Sequence, residues 1–256
     1  MFNIFVRHKT TACPSLYNSV MMRLFFQLLL VLSFVPAFAQ EPLPQTAIDT
    51  SFFSKVDSLY REDQFYFGVT YNRLLNKPKD FDQNGFSTGL TAGFLRDMPI
   101  NKNRTLAFAA GLGVSYNKYH QNLLVTEAAG DRNYEVIDEN TYSRNKMEQV
   151  FIDLPIEFRW RNSTPESHKF WRVYTGFKIR YLVLSKTKYE GQGSTITVLK
   201  NEDFNKIQYG PYIAFGFNTW NFQAYYGVNP LFKSAETATE KINLRTLNLG
   251  LMFYIL

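Results

Sequence analysis

Acid–base chemistry in this chain would start from two of its three histidines, the two downstream of the export signal, and a few carboxylates. His120 follows Tyr119 and stands upstream of Glu127 and Asp131, while His168 sits beside Ser167 in the polar stretch NSTPESHK. An imidazole within hydrogen-bond reach of a serine or carboxylate could act as a general base or activate a nucleophile. A second charged group lies in FIDLPIEFRWR (151–161), where Asp153, Glu157, Arg159 and Arg161 alternate with Ile152, Leu154, Ile156, Phe158 and Trp160. Arg172, Lys178 and Arg180 follow at the same spacing. Carboxylates and cations alternating with apolar residues lie on one face of a strand, as a structural ion-pair cluster or as a path for protons or ions.

Other chemistry finds no support. There is one cysteine, Cys13, and no HExxH, GxSxG, phosphate-loop or EF-hand pattern. GLGVSYNKY contains G-x-G but continues as a strand, so no nucleotide site follows. Glu135, Asp138 and Glu139 read as a solvated loop rather than a calcium site. His168 reads as a solvated turn residue. No metal ligand set, cofactor site or catalytic residue is expected.

The elements around these residues begin with an export signal. MRLFFQLLLVLSFVPAFAQ (22–40) has Arg23, an apolar run from Leu24 to Val35 and the A-x-A site Ala37-Phe38-Ala39 before Gln40. The run is too short to span about 30 Å of hydrocarbon as a helix. Residues 1–21 lie upstream of it, and translation starting at Met21 or Met22 would remove 1–20 or 1–21. Of 28 basic residues, Arg7, Lys9 and Arg23 lie in the first 39, where there is no acid, leaving 25 against 22 acidic. With no Lys/Arg run, nucleic acid is not an expected partner. The expected division is 1–39 upstream residues plus signal, 40–63 a periplasmic segment, and 64–256 the folded domain.

From Gln64 the hydrophobic period becomes two. Eight runs can be read, at 65–75, 85–96, 104–119, 149–161, 170–185, 206–218, 221–232 and 242–255. No helical run between them could cover a sheet face, so the chain is all-β. DMPINKN, NSTPESHK and TW are short connectors, and they alternate with longer ones. Short turns at one end and long loops at the other describe an antiparallel transmembrane β-barrel.

Glycine placement decides which face looks inward. Ten of the fourteen glycines (68, 89, 93, 111, 113, 176, 210, 216, 227 and 250) lie opposite the apolar face. In water they would only weaken strands, whereas a narrow eight-stranded lumen needs very small residues. The apolar face therefore looks at lipid. Trp160, Trp171 and Trp220 flank two short turns, as a periplasmic-interface aromatic girdle would. Asp153, Glu157, Arg159, Arg172, Lys178 and Arg180 then share a packed lumen, where charges persist only when paired. Centring the hairpin near Pro165 and Glu166 sets Asp153 opposite Lys178 and Glu157 opposite Tyr174, with Arg172 and Arg180 nearby. Removing Glu157 alone should then destabilise more than removing Glu157 and Arg172 together.

SLYREDQFYFGVTYN (58–72), GFLRDMPINKNRTLAFAAGLG (93–113) and FIDLPIEFRWRNSTPESHKFWRVYTGFK (151–178) resemble the PorT-like outer-membrane β-barrels associated with type IX secretion and gliding motility. The last strand, NLGLMFYI (248–255), is similar to the C-terminal signal read by the barrel-insertion machinery. The resemblance implies a non-enzymatic outer-membrane accessory protein of an export system; the even strand count, with short turns periplasmic, would leave both termini in the periplasm. Its partners would be outer-membrane lipid and other secretion proteins, reached through loops 120–148 and 186–205 or the periplasmic arm. Two other classes stay open. One is a lipid-modifying enzyme using His120 and a rim serine or carboxylate; the other is a small pore or loop-based binder.

Overall fold

The computed structural model describes residues 63–128, 131–162, 170–191 and 193–255. The export signal, all of the 40–63 segment except Asp63, and the turn holding Pro165, Glu166 and His168 lie outside the described residues.

Eight strands close into one antiparallel barrel. They are β1 (Gln64–Leu75), β2 (Thr88–Pro99), β3 (Leu106–His120), β6 (Arg144–Arg161), β7 (Trp171–Gly191), β9 (Ile207–Phe217), β10 (Trp220–Tyr226) and β11 (Arg245–Ile255). Each pairs with its sequence neighbours in the barrel, and β1 pairs with β11 to close it. Three further strands, β4 (Leu123–Ala128), β5 (Asp131–Val136) and β8 (Ser194–Leu199), belong to the long-loop end.

The alternation is inverted relative to a soluble barrel. Along β9 every second residue is buried, and the exposed set is Ile207, Tyr209, Pro211, Ile213, Phe215 and Phe217. Large apolar side chains such as Phe94, Phe108, Leu112, Ile156 and Val173 stand exposed on the outer wall. An apolar surface this continuous requires a non-aqueous partner. Inside, side chains of mixed size interlock. A Cβ on Gly93 would stand 2.6 Å from the Tyr66 ring, and one on Gly113 would strike the Tyr66 hydroxyl. Gly89 makes the same room for Thr70, Asn72 and Asn117. In the β9–β10 turn, Asn218 takes the left-handed backbone (φ 54°) that a two-residue hairpin needs and asparagine tolerates.

The long-loop end differs from the expected loose loops. β6 begins at Arg144 rather than 149, and β7 continues to Gly191 rather than 185. At the Val150/Phe151 step the β6–β7 register shifts, leaving Val183 and Leu184 consecutively exposed on β7. This bulge rephases β7, so its inward residues are even-numbered up to Leu182 and odd-numbered from Ser185. The expected strand 221–232 stops at Tyr226, beyond which the chain turns inward at Leu231 and Phe232. Residues expected as loop in 120–148 form the β4–β5 hairpin and a short 3-10 turn at Glu139–Thr141. Together these pieces build a second core, with Leu74, Phe81, Leu123, Val125, Tyr134, Phe204, Leu231, Phe232, Ile242 and Leu244 buried over the barrel mouth. Phe204 and Phe232 stack at 4.5 Å.

Candidate functional site

The lumen below that cap carries eight buried charged residues: Asp97, Asp153 and Glu157 against Arg159, Arg161, Arg172, Lys178 and Arg180. Strand alternation puts them there. In β6, 153, 157, 159 and 161 share one parity, and in β7, 172, 178 and 180 do, while Asp97 enters from β2.

Two ion-pair groups form. Near the short-turn end, Arg161 grips Asp97 in a two-pronged contact, Nη1–Oδ1 at 2.9 Å and Nη2–Oδ2 at 2.8 Å. Arg159 Nη1 donates to Asp97 Oδ1 at 3.0 Å and its Nε to Glu157 Oε2 at 2.7 Å. Tyr212 donates its hydroxyl proton to Glu157 Oε1. Higher up, Asp153 Oδ1 accepts from Ser115 at 3.0 Å and from Arg180 Nε at 3.2 Å, and Lys178 approaches its other oxygen at 3.8 Å. Five cations against three carboxylates leave an excess that aromatic faces absorb. Arg172 lies over Phe170 (4.5 Å), Tyr254 (5.4 Å) and Tyr174 (5.9 Å). Lys178 faces Tyr212 and Tyr225, and Arg180 faces Phe151 and Tyr225. Desolvated contacts of this kind are each worth about 2 kcal/mol.

The structure gathers Asp153, Glu157, Arg159, Arg172, Lys178 and Arg180 into the lumen; the expected Asp153–Lys178 pair is present at 3.8 Å, while the cross-strand register and the partner of Glu157 differ from those expected. Asp153 stands opposite Arg180 and Glu157 opposite Gly176, a register two residues from that of a turn centred on Pro165 and Glu166. A two-residue shift keeps every side chain on its face, so lumen membership is preserved while pairing changes. The expected Glu157–Arg172 association is replaced by Glu157–Arg159, because Arg172 turns into an aromatic cage. Asp97 is a further lumen charge: the expected run ends at Arg96 with Asp97 in the turn, but β2 continues to Pro99 and Asp97 keeps the inward parity of Gly89 and Leu95.

The outer wall completes the site. Trp160, Trp171 and Trp220 are exposed on it, all at the short-turn end. An exterior band of apolar side chains above an aromatic girdle, around a charged and glycine-lined interior, is the arrangement of a membrane barrel. A family model for the outer membrane protein beta-barrel domain matches residues 38–233. The chain belongs to that family. Among solved structures it is similar to Ail, the attachment invasion locus protein of Yersinia pestis, at 12% identity and a TM-score of 0.30, covering 76% of this chain and all of that one. A chain from a structure concerned with asymmetric conductivity of engineered proteins overlaps 75% of this chain and 99% of its own, at 8% identity and a TM-score of 0.19. At these scores the likenesses add nothing to the family assignment. No curated protein matches.

His120 ends β3 at the rim. Its backbone N–H donates to the Ser87 hydroxyl at 3.0 Å, and no ion pair or hydrogen bond engages its ring among the described residues. Its cross-strand partner is Lys146, while Glu127 pairs with Arg132 on the β4–β5 hairpin. The described residues contain no cluster of three or more histidine, cysteine or acidic side chains suited to a metal ion.

Proposed function

We propose that this outer-membrane barrel is a non-conducting, non-enzymatic accessory of protein export, acting through its surfaces rather than through its lumen. The observation that carries the reading is the double closure. Arg159, Arg161, Tyr174 and Phe151 fill the lumen at 0% exposure, and a folded apolar core lies over the mouth. A lumen of eight strands is just wide enough for side chains, so a secreted protein cannot pass. What remains for recognition is the cap, with β4–β5, β8 and the 227–244 segment, and the end bearing the short turns. The resemblance of 58–72, 93–113 and 151–178 to PorT-like barrels supports type IX secretion as the export system. In that orientation the short turns and both termini face the periplasm, and the cap faces outward.

Deleting the gene and comparing medium with periplasm by mass spectrometry tests this reading. Type IX cargo should vanish from the medium while other outer-membrane barrels remain assembled; unchanged secretion would refute the export role. Lipid modification is the competing chemistry. His120→Ala should leave lipid A and phospholipid profiles unchanged, and a lost modification would establish an enzyme instead.

A further inference from the structure

We propose that the outer wall of β3, β6 and β7 holds one phosphate-bearing anionic lipid headgroup of the leaflet that meets the long-loop rim. The inference needs only the membrane barrel, and stands apart from the export role. On these three strands the apolar exterior ends along a single register row. Tyr116, Val150 and Leu184 lie side by side, and the next outward row is Lys118, Glu148 and Lys186. Above it come His120, Lys146 and Lys188, then Arg144 beside Glu190. The five lysine and arginine side chains outnumber the two glutamates, in a patch three strands wide.

Depth identifies the ligand. From Trp160 in the girdle to Glu148 is twelve residues along β6, about 40 Å of strand and about 30 Å of height at the usual tilt. The apolar band of such barrels is about 25 Å tall, so the cationic row stands at the headgroups rather than in open water. Glu148 is already occupied, accepting from Lys146 at 2.7 Å and from the Tyr116 hydroxyl at 2.9 Å. Glu190 takes Lys188 and, at 3.4 Å, Arg144. Lys118 and Lys186, flanking Glu148 in the first row, have no carboxylate within ion-pair distance among the described residues. They are the two cations positioned to take a phosphate. The patch is also one-sided. On the opposite wall, the described outward positions of β1 and of β11 at this end carry Arg73 and Arg245, and Arg245 is engaged by Tyr226 at 3.1 Å.

The test is native mass spectrometry of the mature chain in a neutral detergent, titrated with diphosphorylated lipid A, with phosphatidylethanolamine and with inorganic phosphate. Wild type should retain one lipid A. Each basic side chain near an anionic surface contributes about a fivefold gain in affinity, so K118Q/K186Q should bind about 25-fold more weakly. Arg73→Gln should bind as wild type does. Lys186→Gln alone, about fivefold weaker, serves if the double variant does not fold. Equal retention by K118Q/K186Q, or equal binding of phosphatidylethanolamine, would overturn the proposal. So would displacement of lipid A by millimolar inorganic phosphate, which would make this a site for a free anion.

Discussion

Asp97→Asn is the most informative single substitution. It keeps the side chain's shape and removes the charge to which two guanidiniums at 0% side-chain exposure are bound. Arg159 retains Glu157 at 2.7 Å, and Arg161 retains the Arg104 carbonyl at 2.9 Å. Deleting one member of a buried ion pair costs about 3–5 kcal/mol, whereas replacing both members by apolar groups can be neutral. Asp97→Asn should therefore destabilise by about 3 kcal/mol or more. D97N/R161M should be no worse than Asp97→Asn alone, with a coupling of about 2 kcal/mol between the sites. Urea unfolding of the refolded barrel in lipid vesicles, followed by tryptophan fluorescence, measures all four corners of the cycle. An Asp97→Asn variant within about 1 kcal/mol of wild type, or a double variant equal to the sum of the singles, would refute the lumen electrostatics. The same logic replaces the Glu157–Arg172 cycle with one on Glu157 and Arg159.

Gly113→Ala should cost about 1–3 kcal/mol by overpacking against Tyr66, and Tyr66→Phe in that background should recover part of it in the same unfolding assay; an unaffected single variant would mean the lumen has spare volume. Phe232→Ala removes one ring of the 4.5 Å stack inside the cap and should cost about 3–5 kcal/mol of local stability. Limited proteolysis should then cut within 121–143 and 193–206 while the strands stay protected, and an unchanged pattern would count against a cooperative cap. Trp160, Trp171 and Trp220 should be quenched more by lipids labelled near the headgroup than at the bilayer centre, and the reverse order would remove them from the interface. The Tyr134 hydroxyl in the cap donates to Asp203 at 2.7 Å and accepts from Asn201 at 2.8 Å. Burial raises its pKa above the ordinary tyrosine value, opposed by the Asn201 hydrogen bond and reinforced by the Asp203 one. The cap's stability from this group is full below about pH 10 and falls as pH rises past it. Proteolysis should therefore accelerate above pH 10 in wild type and less so in Tyr134→Phe; identical profiles would count against the raised pKa.

The fold was legible because a membrane barrel writes itself in a period of two. The parity of Ile152 through Trp160 against Asp153 through Arg161 sorted outside from inside, and the opposed glycines chose lipid over water. Lumen membership followed from parity alone, which is why all six picked charges are found there. Partners followed only in part: Asp153 keeps Lys178, but Glu157 takes Arg159 instead of Arg172, since cross-strand register depends on turn geometry and a two-residue slip leaves parity untouched. Asp97 was hidden for a different reason: the run was read as ending at Arg96, whereas β2 continues to Pro99 and carries Asp97 inward on the parity of Gly89 and Leu95. The cap was illegible because Phe204 lies in a short irregular stretch, Leu231 and Phe232 read as the end of a period-two run that in fact stops at Tyr226, and the three join only when segments far apart in sequence meet over the mouth. The Val183–Leu184 bulge shows how one extra residue reverses parity within a strand.

The closed lumen is tested most directly by planar-bilayer recording of the refolded barrel. The packed charge network and the folded cap predict no discrete conductance steps above the lipid background at either polarity. Reproducible single-channel steps, abolished by heat-unfolding the barrel, would contradict that closure and the surface-based function built on it.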